Sequence, residues 1–188
     1  MFWNQIHHDL ARRKKILVRG YINMDLKARV QEDVLYAAMQ DTDPIQIIID
    51  CHGGDIVPAL NIFDFLSNIS VETVGIVCGL CDSAAVTILQ GCKIRMATKN
   101  SSLYMHYVTT GFDIRPVRES LKLFREKRKL NATLENQVRE TISHRTGLPV
   151  AKIAELEKIG YEYGARIVLK EALKLNLIDR IYDGPALF

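Results

Sequence analysis

Three short segments of this 188-residue chain hold side chains and backbone of a kind that does chemistry. The first is Asp50-Cys51-His52-Gly53-Gly54-Asp55, where two adjacent glycines let the chain turn sharply and come close to a ligand with N–H groups aimed outward. The second is Cys78-Gly79-Leu80-Cys81-Asp82-Ser83-Ala84-Ala85, which puts a hydroxyl at the entry of a small-residue apolar stretch. The third is Leu103-Tyr104-Met105-His106, which puts an imidazole at the end of an apolar run. Each has an ordinary structural meaning: a Gly-Gly turn, a serine helix cap, a structural histidine. The serine could instead be a nucleophile: it becomes one when a neutral imidazole takes its proton, with the next residue's N–H and the helix dipole placed to hold an oxyanion. Ser83 stands 29 residues after Gly54, and His106 stands 23 after Ser83.

The segments that must position these groups alternate in period. Ile16 to Val18 and the β-branched run Ile45 to Ile49 read as strands, the second covered on both faces. Leu26 to Met39 has helical spacing with Asp25 as the expected N-cap, and Asp43-Pro44 breaks it. A helix through Leu60, Ile62, Phe63 and Leu66 follows Gly54, with Pro58 tolerable in its first turn. Val71 to Val77 reads as a further buried strand, Gly79 as a turn, and Ser83 to Leu89 as a short helix. Lys93 to Ala97 and Leu103 to His106 read as strands. This β-α-β-α order implies an α/β fold with a mostly parallel sheet. Asp113 is the expected cap of a helix running to about Arg145 and ended by Gly147 and Pro149. Its stripes, Val117, Leu121 and Phe124, then Leu130, Leu134, Val138 and Ile142, flank the charged stretch Arg125 to Lys129. At ~1.5 Å per residue such a helix outgrows a small domain, so it must project or lie along a partner. Short helices over Ala151 to Glu157 and Val168 to Leu175 and a strand over Ile178 to Ile181 complete the expectation.

Composition narrows the function classes. Twenty-five basic against 22 acidic residues, net +3, is too even for a general nucleic-acid binder, and Arg12 to Lys15 and Arg125 to Lys129 lack interleaved aromatics. No apolar run reaches the ~20 residues of a spanning helix, and the opening residues lack the apolar core of a signal peptide, so a cytoplasmic location is expected. Four cysteines, at 51, 78, 81 and 92, then read as reduced thiols. Cys78 and Cys81 have zinc-ligand spacing, but no second half-site accompanies them, and buried thiols are the reading adopted. His7-His8 reads as an exposed pair. No metal or cofactor is called for.

The three segments, in this order and spacing, resemble the proteolytic subunit of the Clp protease, a crotonase-like serine peptidase family. The family's Asn-Ser-Pro-Gly-Gly corresponds to Asp50-Cys51-His52-Gly53-Gly54, and its Gly-x-Ala-x-Ser-Met to Gly79-Leu80-Cys81-Asp82-Ser83-Ala84. Its Met-Ile-His corresponds to Met105-His106, lacking the Ile, and its Glu-Ala-x-x-x-Gly-Leu-Ile-Asp to Glu171 through Asp179. The resemblance spans about residues 10 to 182. It implies a single crotonase-like domain over 1–188, with an N-terminal arm at 1–15 and a handle helix at 113–147. It also implies a serine endopeptidase acting on unfolded proteins or short peptides through an acyl-enzyme. Ser83 would be the nucleophile, His106 the general base, and the Gly54 and Ala84 amides the oxyanion hole. The family's third triad member is an Asp between the Thr146-Gly147 end and Glu171; counting forward from Thr146 puts it near Gly160 and counting back from Glu171 near Gly164, and Glu162 is the acid between those two positions.

The resemblance further implies a homo-oligomeric ring, a heptamer or stacked heptamers, fed by an unfolding ATPase. Two departures bear on this: the strand after the catalytic histidine is shortened to Tyr107 to Phe112, and the aromatics that dock the ATPase are replaced by Gln46 and Ile48. A ring subunit without activity is the alternative these departures feed. A crotonase-type acyl-CoA enzyme is the third reading, which would not require Ser83 and His106 together.

Overall fold

A computed structural model of the chain describes residues 2–108, 117–163, 166–185 and 187, with side chains described from residue 5 and, in the long helix, from residue 124. The sheet is built where the sequence is most β-branched. Strand β2 (Ile45–Cys51) lies between β1 (Lys15–Arg19) and β3 (Thr73–Asp82), both parallel to it, and the path continues through β4 (Ile94–Ala97) to β7 (Arg180–Ile181). Ile45, Ile47 and Ile49 enter the main core, while Ile48 enters a smaller cluster on the other face with Ile76, Met96 and Leu187. Coverage of both faces is why the run carries no polar alternation.

Helix α1 (Phe2–Arg12) precedes β1, and α2 (Met24–Ala38), α3 (Ile56–Asn68) and α4 (Ala84–Gly91) fill the crossovers. The segment expected as an arm is therefore helical to Arg12. Its His7 is half-buried 4.0 Å from the Asp33 carboxylate, while His8 is exposed as expected, with its ring 4.6 Å from that of Tyr36; both contacts join α1 to α2. Asn23, not Asp25, caps α2: the Asn23 Oδ1 accepts from the Leu26 N–H at 2.9 Å. Asp25 falls in the first turn, where the helix dipole favours it. The basic run ending at Lys15 is only partly a solvated face, because Lys14 Nζ donates to Ala37 O at 2.6 Å and meets the Asp41 carboxylate at 2.7 Å.

Strand β3 controls the geometry that follows. It continues past the expected turn at Gly79 to Asp82, with two more residues than β2 between the pairs Ile49–Val77 and Cys51–Cys81. Gly79, at φ +115°, absorbs the bend. Before the bend β3 pairs with β4; beyond it, Leu80 to Asp82 pair with β5 (Ser102–Tyr104), whose other edge takes the antiparallel β6 (Ile167–Val168). The sheet thus forks at the end of β3, and β5 stops two residues before His106.

Helix α5 (Val117–Thr146) has 30 residues, about 45 Å at ~1.5 Å each. Burial begins only at Val138, followed by Ile142 and Thr146; from Phe124 to Gln137 no side chain is buried, so this half projects. The root is tied down by Arg145, which donates from Nε to Gln90 O and from Nη2 to Cys92 O, each at 2.7 Å, capping α4's last carbonyls. Gly147, at φ +75°, ends the helix as expected, its N–H bonding Ser143 O at 2.8 Å. The expected cap at Asp113, the side chains of Val117 and Leu121, and residues 109–112 of the shortened strand lie outside the described residues. Helix α6 (Val150–Tyr163) is longer than expected, and α7 (Leu169–Lys174) packs behind β6.

Candidate active site

Ser83 stands at the junction of β3 and α4 with φ 55° and ψ −124°, a strained combination for a residue with a Cβ. The strain is fixed from three sides. Its N–H donates to Tyr104 O at 2.7 Å, its carbonyl accepts from Val86 N–H at 3.0 Å, and Gly53 packs directly on it. A Cβ at Gly53, itself at φ +98°, would lie 2.7 Å from Asp82 O and 2.8 Å from the Ser83 Cβ. Although Ser83 occupies the N-cap position, its hydroxyl makes no capping bond, so the ordinary reading of a serine there fails and the oxygen is left for the cavity.

That cavity, about 640 Å³, is lined by Ser83, His106, His52 and Gly54 together with Glu157 and residues of α5. The bond from Ser83 N–H to Tyr104 O extends the β3–β5 pairing by one step and so delivers His106 to the same cavity. His106 Nδ1 lies 2.6 Å from Tyr107 O. A carbonyl only accepts, so in the neutral ring Nδ1 carries the proton and the lone pair falls on Nε2, the tautomer a general base needs. The ring also stands 5.4 Å from that of Tyr104.

Two amides fit an oxyanion hole. Gly54 forms a parallel bridge with Ile22 in which its neighbours carry both bonds, Ile22 N–H to Gly53 O at 3.0 Å and Asp55 N–H to Ile22 O at 2.7 Å. The Gly54 N–H is thereby turned away from Ile22. The Ala84 N–H is the first of α4 and has no intrahelical acceptor, and the Gly53 Cβ position lies 3.2 Å from it.

Glu162 lies elsewhere. Because α6 runs on to Tyr163, Glu162 is an exposed residue of its last turn, 4.0 Å from Lys158 Nζ, and is not among the residues lining the cavity. The inward face of α6 is Ile153, Glu157 and Gly160. Gly160 rests on the Met105 carbonyl so closely that no Cβ would fit, and its own carbonyl accepts from Tyr104 Oη at 3.1 Å. Glu157, one turn earlier, is the buried acid facing the cavity; burial pushes its pKa up to about 7 against the opposing Arg139, whose Nε and Nη2 both lie 2.7 Å from Oε2. Sequence counting missed it because the window opened at Gly160; the spacing Ile153, Glu157, Gly160 was the available signal.

A second group also escaped sequence reading. Asp82, just before Ser83, is buried and bound by Arg166 at 2.8 and 2.6 Å, and His52 Nδ1 lies 3.3 Å from its Oδ2. Burial raises the Asp82 pKa, and Arg166 and His52 oppose that rise. The thiols of Cys51, Cys81 and Cys92 are buried and free; burial lifts Cys81 well above its ordinary value and Cys92 to about 12. Among the described residues no group of three or more His, Cys, Asp or Glu is placed to hold a metal ion, and no helix is long and apolar enough to cross a membrane.

The family model for Clp protease matches residues 1–185. The chain belongs to the Clp protease family. Similar proteins include the ATP-dependent Clp protease proteolytic subunit 2 of Treponema pallidum, 27% identical over 175 residues that cover 92% of this chain and 85% of that one. The protein of the same name from Borreliella burgdorferi is 27% identical over 176 residues, covering 90% and 85%. Among solved structures, a mutant of ClpP1 from Listeria monocytogenes aligns with a TM-score of 0.78 at 18% identity, covering 95% of this chain and 96% of that one. ClpP1 itself aligns at 0.75 and 19% identity, covering 96% and 97%. The forked sheet and projecting α5 are thus the Clp protease fold, as the sequence motifs implied.

Proposed function

We propose that the chain is a serine peptidase acting on unfolded proteins or short peptides. Ser83 Oγ attacks the scissile carbonyl carbon while its proton passes to His106 Nε2. The resulting oxyanion is held by the Gly54 and Ala84 amides, and the imidazolium gives its proton to the leaving amine as the C–N bond breaks. Water, deprotonated by the same nitrogen, then hydrolyses the acyl-Ser83 ester. The observation carrying this reading is the strained, uncapped Ser83 sharing a cavity with an imidazole whose Nδ1–H is already committed to a carbonyl. In this proposal the Tyr107 carbonyl fixes the tautomer of His106, and Glu162 takes no part.

Ring assembly belongs to the same proposal, with the projecting half of α5 as the contact element. No ATPase dock is assigned: Ile48 is buried beneath Leu187 and Gln46 offers no aromatic surface. Fluorogenic peptide hydrolysis tests the reading. Ser83→Ala and His106→Ala should each lower kcat by on the order of 10⁶. Hydrolysis that survives Ser83→Ala would overturn it, as would a wild-type ring that cleaves nothing, which is the behaviour of an inactive subunit. The latter reading draws on the carbonyl, instead of a carboxylate, at His106 Nδ1.

A further inference from the structure

We propose that His52, held by the Asp82–Arg166 pair, is a subsite for an anionic group of the substrate, so that the peptidase favours peptides with an acidic side chain beside the scissile bond. This deepens the peptidase reading and rests on it.

Position is the first argument. His52 lines the cavity that holds Ser83, and its side chain is 82% exposed there although its Nδ1 is anchored 3.3 Å from Asp82 Oδ2. It precedes Gly54 by two residues, so its Cα lies within about 7 Å of that amide. A peptide whose carbonyl oxygen rests against the Gly54 N–H brings the flanking side chains within reach of the imidazole. Nδ1 faces the carboxylate, which leaves Nε2 as the nitrogen presented to substrate.

Charge is the second argument. The Asp82 carboxylate is 7% exposed, and both its oxygens accept from Arg166, whose guanidinium also lies 3.3 Å from Ser102 Oγ and 5.7 Å from the Tyr104 ring. The guanidinium balances the carboxylate, so a protonated His52 makes the trio net positive and a neutral one leaves it uncharged. In neither state does it attract a cation. The other charged groups around the cavity are Asp55, which accepts from Tyr21 Oη at 2.8 Å, His106, and Glu157 paired with Arg139; Asp50, two residues before His52, accepts from the Leu80 N–H. All the acids among them already have a donor. His52 is the exposed imidazole with a carboxylate behind it, and in its protonated form Nε2–H is the donor left for substrate.

The test reads binding separately from catalysis. Two fluorescein-labelled hexapeptides, identical except for Glu-Glu or Gln-Gln at the two central positions, are titrated by anisotropy into the full-length Ser83→Ala protein and into the same protein carrying His52→Gln or His52→Arg. At pH 6 the Glu peptide should bind about three- to fivefold more tightly than the Gln peptide, the range expected of a solvent-exposed charge pair. His52→Gln should bring the ratio to about 1. Because a guanidinium stays charged throughout, His52→Arg should hold the ratio at pH 8 as at pH 6. Equal binding of the two peptides at pH 6, no binding of either, or a ratio untouched by His52→Gln would overturn the subsite. Hydrolysis of the same peptides by the wild-type protein is scored apart: its failure would count against the peptidase reading alone.

Discussion

Replacing Gly53 by alanine separates two effects that the structure allows to be sized independently. Gly53 has φ +98° and its added Cβ would meet Asp82 O at 2.7 Å, Ser83 Cβ at 2.8 Å and Ala84 N at 3.2 Å. Gly20 has a similar φ of +92° with nothing within 4 Å of its Cβ position. Gly20→Ala therefore carries the backbone strain alone, about 1–2 kcal/mol. Gly53→Ala carries that and a clash with backbone atoms that cannot rotate away, a further ~1–3 kcal/mol. Relieving the clash requires the Asp82–Ala84 segment to shift by roughly 0.5 Å, and misplacement by about 1 Å costs on the order of 10²-fold in rate. Denaturant unfolding and the rate of fluorophosphonate labelling are measured together on both variants. Gly53→Ala should lose about 2–5 kcal/mol and label about ten- to a hundredfold more slowly; Gly20→Ala should lose less and label at the wild-type rate. Equal labelling by the two variants would refute the claim that Gly53 seats Ser83.

Glu157 gives a pH prediction. Its folded pKa is raised to about 7 from 4.5, so the folded state holds the proton more tightly; the stability this brings is full below about pH 4.5 and is lost as pH rises through about 7. Unfolding titrations of wild type should therefore show a fall of a few kcal/mol over that window that Glu157→Gln lacks, and parallel curves would reject the assignment. Asp179 works the other way. Burial would raise its pKa, but the Arg95 bonds prevail and lower it, so its contribution is present above the ordinary carboxylate range and lost as pH falls through the folded value. Arg95→Leu should destabilise the fold by about 1–2 kcal/mol at pH 7, because the Asp179 carboxylate it strands is partly solvated, and flatten its acid unfolding, both read by denaturant melts. Glu162→Gln should leave peptide hydrolysis within about twofold, as expected of an exposed surface acid; a large loss would return the orienting role to Glu162.

How much was legible beforehand follows from the range of the forces involved. The buried strand at Ile45 to Ile49, the stop at Gly147 and the glycine turn at 53 and 54 are written in local side-chain types, and they stand where the sequence put them. Asn23 and Asp25 are both good caps two residues apart, so local chemistry could not choose between them. The run of β3 through Gly79 to Asp82 depends on a partner strand 22 residues later, which no local pattern announces. Glu157 faces inward because it shares a helix face with Ile153 and Gly160, and Gly160 belongs to that face only because α6 extends past its expected end. The Asp82–Arg166 contact joins residues 84 apart in the chain and is visible only once the sheet has forked.

The central claim is that Ser83 is the activated hydroxyl of this fold and His106 its base. Peptide mapping by mass spectrometry after brief fluorophosphonate treatment tests it most directly. A single adduct should form on Ser83, and at least about 10³-fold more slowly in His106→Ala. An adduct on another residue, or one on Ser83 that forms equally fast without the imidazole, would contradict it.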